Sequence, residues 1–183
     1  MHKRILSIFT VVLMVLISLP MAYAAKEPTL TVSSVSAKAG ETIELDVSVQ
    51  DNPGINTFSL GFDYDKSQLQ LVDVAISNQL GGQFAYSKKA VWLNGKDVTY
   101  NGNILKLKFK VLDDAKSGKA TVNLTYSSGD ISNYNEKDVN FKVAPGTVTI
   151  ESNSTNKSFI QKIQTLLNRI IELLKKLFAI ASN

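Results

Sequence analysis

Chemistry at a protein site needs side chains that hold a charge, a proton or a metal, and this chain of 183 residues is short of several of them. It has no cysteine, and its only histidine is His2. Cysteine–histidine pairs, serine–histidine–aspartate triads and nearly all zinc sites are therefore closed to it. Carboxylate, lysine and tyrosine chemistry remains. The 16 acidic residues supply no pair whose spacing marks the two opposed carboxylates of a glycosidase. Asp63, Asp65 and Asp73 come nearest to a calcium cluster, yet no oxygen-rich loop of about twelve residues surrounds them. The chain is accordingly read as a protein that is not an enzyme, with no metal site and no cofactor. Rows of side chains suited to recognising a partner are the stronger signal. Thr57, Ser59, Gly61 and Asp63 recur at every second position, and so do Lys106, Lys108 and Lys110. The lysine row has two readings, a docking patch or a solvated strand face that guards against edge pairing. Trp92, in Ala90-Val91-Trp92-Leu93, has the flat face a sugar ring stacks on, but strand alternation assigns it to the core. Tyr86, Tyr100, Tyr126 and Tyr134 are the other aromatics that could line a polysaccharide platform.

These rows imply strands. From Thr29 to Ile150 the dominant period is two, the pattern of a strand with one face buried and one wet. Ile43, Leu45, Val47 and Val49 alternate with Glu44, Asp46 and Ser48. Phe58, Leu60, Phe62 and Tyr64 alternate with the Thr57 row, and Leu105, Leu107, Phe109 and Val111 alternate with the lysines. Turn chemistry separates the runs at Asp51-Asn52-Pro53-Gly54, Gly81-Gly82, Asn94-Gly95, Asn101-Gly102, Ser117-Gly118, Ser128-Gly129-Asp130 and Pro145-Gly146. About eight or nine short strands follow, the signature of an all-β, two-sheet sandwich or jelly roll.

The order of these segments resembles the cohesin domain of cellulosome scaffolds, which is unrelated to the chromosomal cohesin complex. Ala39-Gly40-Glu41-Thr42-Ile43-Glu44-Leu45-Asp46-Val47 is similar to the family's second strand. Pro53-Gly54-Ile55 leading into Phe58-Ser59-Leu60-Gly61-Phe62-Asp63-Tyr64-Asp65, followed by Leu69-Gln70-Leu71-Val72-Asp73-Val74, resembles its glycine–isoleucine to tyrosine–aspartate segment. Asn103-Ile104-Leu105-Lys106-Leu107-Lys108-Phe109-Lys110-Val111, the turn at Ala115-Lys116-Ser117-Gly118 and the closing Gly146-Thr147-Val148-Thr149-Ile150 complete the likeness. The resemblance implies a nine-stranded jelly-roll sandwich without catalytic activity. It also implies a dockerin-type partner, a small calcium-loaded helical module carried by polysaccharide-degrading enzymes and bound on one exposed sheet face. Carried over to this chain, that face comprises Thr57, Ser59, Gly61 and Asp63 together with Lys106, Lys108 and Lys110. An asparagine and an aspartate used by type I cohesins fall on Thr57 and Ser59, and Lys66 stands where proline is common. Direct polysaccharide recognition is the alternative, since related folds bind cellulose.

The two ends of the chain differ from its middle. Lys3 and Arg4, the apolar run from Ile5 to Leu19 and the small-x-small ending Ala22-Tyr23-Ala24 form a signal peptide over residues 1–24, so the protein is expected to be secreted and held without disulfides. The sandwich is assigned to 25–150 and a polar linker to 151–157. Ser158 then caps an amphipathic helix over 158–182, in which Ile160, Ile163, Leu167, Ile170, Leu174 and Leu177 follow a heptad seam. Phe159, Leu166, Ile171 and Phe178 widen it. This apolar face needs a membrane surface, a second copy of the chain or the sandwich itself to cover it. The net charge of +4 falls to about +2 without Lys3 and Arg4. That balance lacks the basic stripe of a nucleic-acid binder, and no nucleic-acid partner is expected. Asn123-Leu124-Thr125, Asn153-Ser154-Thr155 and Asn156-Lys157-Ser158 match the N-glycosylation pattern.

Overall fold

The alternating runs pair into two sheets packed face to face. The computed structural model describes residues 26–152 and 154–181, with helix side chains described over 159–175. Residues 1–24, read above as a signal peptide, and the side chains of Leu177 and Phe178 lie outside the described residues. Among the described residues twelve strands precede one helix: β1 Thr29–Val32, β2 Val35–Lys38, β3 Thr42–Gln50, β4 Ile55–Tyr64, β5 Leu69–Ile76, β6 Gln83–Tyr86, β7 Ala90–Val98, β8 Gly102–Val111, β9 Gly118–Thr125, β10 Ile131–Ser132, β11 Lys142–Ala144 and β12 Gly146–Glu151. One sheet has the order β11-β1-β3-β8-β5; the other runs β2-β12-β9-β4-β7-β6, with β10 added beside β4.

The expectation of nine strands is corrected to twelve, and the excess has a physical cause. The first strand breaks at Ser33-Ser34, so that β1 pairs with β3 in one sheet while β2 joins β12 in the other. The last strand breaks in the same way at Pro145, which has no N–H to donate to a ladder, leaving β11 beside β1 and β12 beside β9. The two corners cross at close range. A Cβ on Gly146 would collide with the Ser33 carbonyl oxygen, so only glycine fits. Ser34 Oγ accepts the Thr147 N–H at 2.9 Å, and Ser33 Oγ accepts that of Asp46 at 2.9 Å, so side chains satisfy groups that the broken ladders leave free. The two-residue β10 is the remaining addition.

Between the sheets the inward residues interdigitate. Leu45, Val47 and Val49 of β3, Phe58 and Leu60 of β4, and Leu105, Leu107, Phe109 and Val111 of β8 are all buried. Trp92 is fully buried, stacks on Phe58 at 5.3 Å between ring centroids, and donates its indole N–H to the Gly81 carbonyl at 2.7 Å. It is a core residue and not a sugar platform. Among the described residues every buried apolar side chain lies between Leu30 and Ile150, so the core closes without the helix.

The helix, α1, spans Ser154–Ala181. It starts four residues before Ser158, and β12 reaches Glu151, so the polar stretch read as a linker is shared between strand end and first helical turn. No glycine or proline interrupts residues 151–158, and nothing local stops the helix from extending backwards.

Candidate functional site: the outer face of the larger sheet

Strand alternation places the two expected rows as read. Thr57, Ser59 and Asp63 point away from the core on β4, as do Lys106, Lys108 and Lys110 on β8, whereas Gly61, on the same side of β4, is buried beneath the Thr125 side chain. The structure does not bring them together. β4 belongs to the larger sheet and β8 to the smaller, so the rows lie on opposite outer faces of the sandwich. The grouping into one partner-binding face is corrected on this ground: alternation tells which side of its own strand a residue occupies, and nothing of which sheet that strand joins.

The lysine face is a ladder of opposite charges. Across the β3–β8 register Glu44 faces Lys108, Asp46 faces Lys106 and Thr42 faces Lys110, and from β5 Asp73 faces Lys108. Lys106 Nζ meets Glu44 Oε2 at 2.9 Å, and Lys110 Nζ meets Asp113 Oδ2 at 3.1 Å. The hydrogen bond from Lys106 is the main cause of the lowered pKa of Glu44, and the same bond raises that of Lys106. Such exposed cross-strand pairs keep a solvated sheet soluble and in register while contributing little to stability.

The β4 face is different. Thr57 lies opposite Leu93 of β7 and Ser59 opposite Val91; on the next strand Gln83 pairs with Leu93 and Ala85 with Val91. Residues paired across a ladder share a face, so these six form one patch. Leu93 is 52% exposed and Val91 44%, making them the most exposed large apolar residues on this face of the sheet. Two neighbouring apolar side chains left open on a sheet face are surface that a partner could cover. The polar groups around them are held in place. Thr57 Oγ1 donates to the Trp92 carbonyl at 2.9 Å. Ser59 N–H donates to the Asp130 carbonyl at 2.7 Å, and the Asp130 carboxylate accepts Lys89 Nζ at 2.9 Å and Ser127 N–H at 2.8 Å. The Lys89 hydrogen bond, then the Ser127 N–H, keeps the Asp130 carboxyl below the usual carboxylate range.

Gly61 and Asp63 continue the row toward β9, facing Thr125 and Asn123. Asn123 lies inside β9 with its side-chain oxygen buried, so the first glycosylation match is a strand residue and not a loop tip. Sequence reasoning missed Val91 and Leu93. The signal was present: Ala90-Val91-Trp92-Leu93 is apolar at four consecutive positions, and a strand with one face in the core needs a second reason for apolar residues on the other. The tyrosines considered for a polysaccharide platform divide between inside and outside. Tyr126 is tied inward, its hydroxyl donating to the Phe141 carbonyl at 2.6 Å, whereas Tyr86 and Tyr134 are exposed. Among the described residues no group of three or more acidic or histidine side chains is placed to hold a metal ion.

The family model for the cohesin domain matches residues 28–150, the whole sandwich. This chain belongs to the cohesin family. Solved structures agree on the fold at low identity. A type I cohesin–dockerin complex from Clostridium thermocellum is 15% identical with a TM-score of 0.59, covering 69% of this chain and 100% of that one. The cohesin CaCohA2 from Clostridium acetobutylicum is 18% identical with a TM-score of 0.58, covering 70% and 94%. A non-cellulosomal cohesin from the hyperthermophilic archaeon Archaeoglobus fulgidus is 18% identical with a TM-score of 0.59, covering 73% and 98%. Comparison with curated proteins finds no match. In each of these three cases the matched cohesin is covered almost from end to end and this chain is not, because residues 1–27 and those after Ile150, α1 among them, lie beyond the 28–150 match.

Proposed function

We propose that this cohesin is a secreted, non-catalytic adaptor that binds a dockerin-type module through the outer face of β4, β7 and β6, with α1 as its second point of attachment. The observation that carries the reading is the exposed pair Val91 and Leu93, set among Thr57, Ser59, Gln83 and Ala85 on a rigid sheet. An apolar centre with a polar surround is what a small helical partner needs: burial supplies affinity and the rim supplies register. The cohesin–dockerin complex among the fold relatives supports the class of partner. A link to polysaccharide degradation or cell-surface assembly follows through the enzymes that carry dockerins. Direct polysaccharide binding has less to rest on, because Trp92 is in the core.

The test is a pull-down of the source organism's secreted proteins on the immobilised chain from Lys26 onward, with calcium and again with EDTA, read by mass spectrometry. Dockerins fold around calcium, so dockerin-bearing proteins should be retained only when it is present. Val91→Glu with Leu93→Glu should then weaken binding on the order of 30-fold or more, the size of a hot-spot loss near 2 kcal/mol. Undiminished affinity in that double variant excludes this face.

A further inference from the structure

The helix is the part of the molecule that the sandwich does not use. From Phe159 to Leu174 every large apolar side chain of α1 is exposed, from 43% at Ile171 to 63% at Phe159. The core is complete without them, and the helix is not a lid on the sandwich. At about 100° per residue, the apolar positions over 159–175 occupy roughly 160° of the circumference, centred on Ile163 and Ile170. The charges fall in a definite order around the rest. Lys162 and Arg169 lie along one border of the apolar arc, Lys175 lies beyond the other, and Glu172 lies opposite its centre. Glu172 is already paired with Lys175 Nζ at 3.1 Å.

This arrangement separates the candidates for what covers the face. Two copies packed along the seam would bring their bordering cations toward one another, with no free acid at the border among the described residues to pair with them. An anionic lipid surface meets the same pattern favourably. The apolar arc sinks to the acyl boundary, the bordering cations reach headgroup phosphates on both sides, and the acid points to water. Crossing the bilayer is a different matter: among the described residues no helix is long and apolar enough to do so, and Arg169, Glu172 and Lys175 interrupt the run. Charge bookkeeping along the chain agrees, since residues from Lys157 onward carry five cations and one acid, against 13 cations and 14 acids from Lys26 to Ile150.

We infer that α1 lies in the plane of an anionic bilayer surface and anchors the sandwich there. This deepens the adaptor reading by naming what the second attachment meets, and it is tested separately from the dockerin face. The experiment is flotation of the chain from Lys26 onward, which carries the whole core, with phosphatidylcholine vesicles and with vesicles containing about 30% phosphatidylglycerol. Partition should be at least about tenfold stronger on the anionic vesicles and should weaken severalfold at about 0.5 M salt. Ile163→Asp with Ile170→Asp should abolish binding to both, while Lys162→Glu with Arg169→Glu should remove the preference for anionic lipid. Calcium-dependent dockerin capture should persist in all of these variants, which separates a failed anchor from a failed adaptor and shows that the sandwich is folded. Absence of wild-type flotation, or equal partition on the two vesicles, overturns the inference. So does a lipid-free oligomer in sedimentation velocity that Ile163→Asp with Ile170→Asp dissolves, which makes a second copy the occupant.

Discussion

Single residues carry two of the features on which the site depends. Gly146 is where the two sheet-switching corners pass, and the Ser33 carbonyl occupies the space of a side chain. Gly146→Ala should therefore cost on the order of 2–4 kcal/mol, measured as a lower denaturant midpoint with an unchanged slope. Asp130 ties the turn after β9 to Lys89 and, through its carbonyl, to Ser59 on the proposed face. Its pKa is lowered in the folded protein, chiefly by Lys89, so folding favours the ionised carboxylate. That contribution is fully present above the ordinary carboxylate pKa of about 3.9 and is lost as pH falls through the lowered folded value. Asp130→Asn should lower stability near neutral pH and flatten its decline below about pH 4, read by thermal melts across pH. An identical acid limb in the variant would show that the link to Lys89 contributes nothing.

At the scale of elements, the two outer faces make opposite demands. The β3–β8–β5 sheet sets Lys106 and Lys108 opposite acids across the ladder and Lys110 beside Asp113, so its lysines have partners without any second molecule, and among the described residues its one exposed large apolar residue is Val72 at the β5 bulge. The β4–β7–β6 face leaves Leu93 and Val91 open. Lys106→Gln, Lys108→Gln and Lys110→Gln together should leave dockerin affinity within about twofold, in contrast to the loss expected from the Val91 and Leu93 variants. Calorimetric titration with a captured dockerin measures both. A tenfold loss in the triple variant would return the binding site to the smaller sheet.

Across the whole molecule, sandwich and helix follow different rules of stability. The sandwich buries its apolar residues within residues 30–150, and α1 buries none of those described over 159–175. Ending the chain at Asn153 should therefore leave the melting midpoint within about 2 °C of the longer chain, by calorimetry without lipid. A large drop would mean that the helix packs on the sandwich in solution. Addition of anionic vesicles should change the helical signal of the longer chain only.

Much of this was legible in the residues because alternation is a local property. Leu105, Leu107 and Phe109 went inward and Lys106, Lys108 and Lys110 outward as their period demands, and the change of period after Lys157 announced a helix with an uncovered face. The order of strands and turns also sufficed to reveal the family, which the match over 28–150 shows. Strand count was less accessible, because each change of sheet leaves only a one-residue slip in the alternation, from Leu30 and Val32 to Val35 and Ala37 across Ser33-Ser34, and from Val143 to Val148 and Ile150 across Pro145. What only the tertiary structure decided is which rows of side chains share a face. Thr57 and Ser59 came to lie beside Leu93 and Val91, and across the sandwich from the lysines, through hydrogen bonds between strands far apart in the chain. Period two sets the side of a strand, whereas its neighbours in the sheet are chosen by long-range packing that no local spacing encodes.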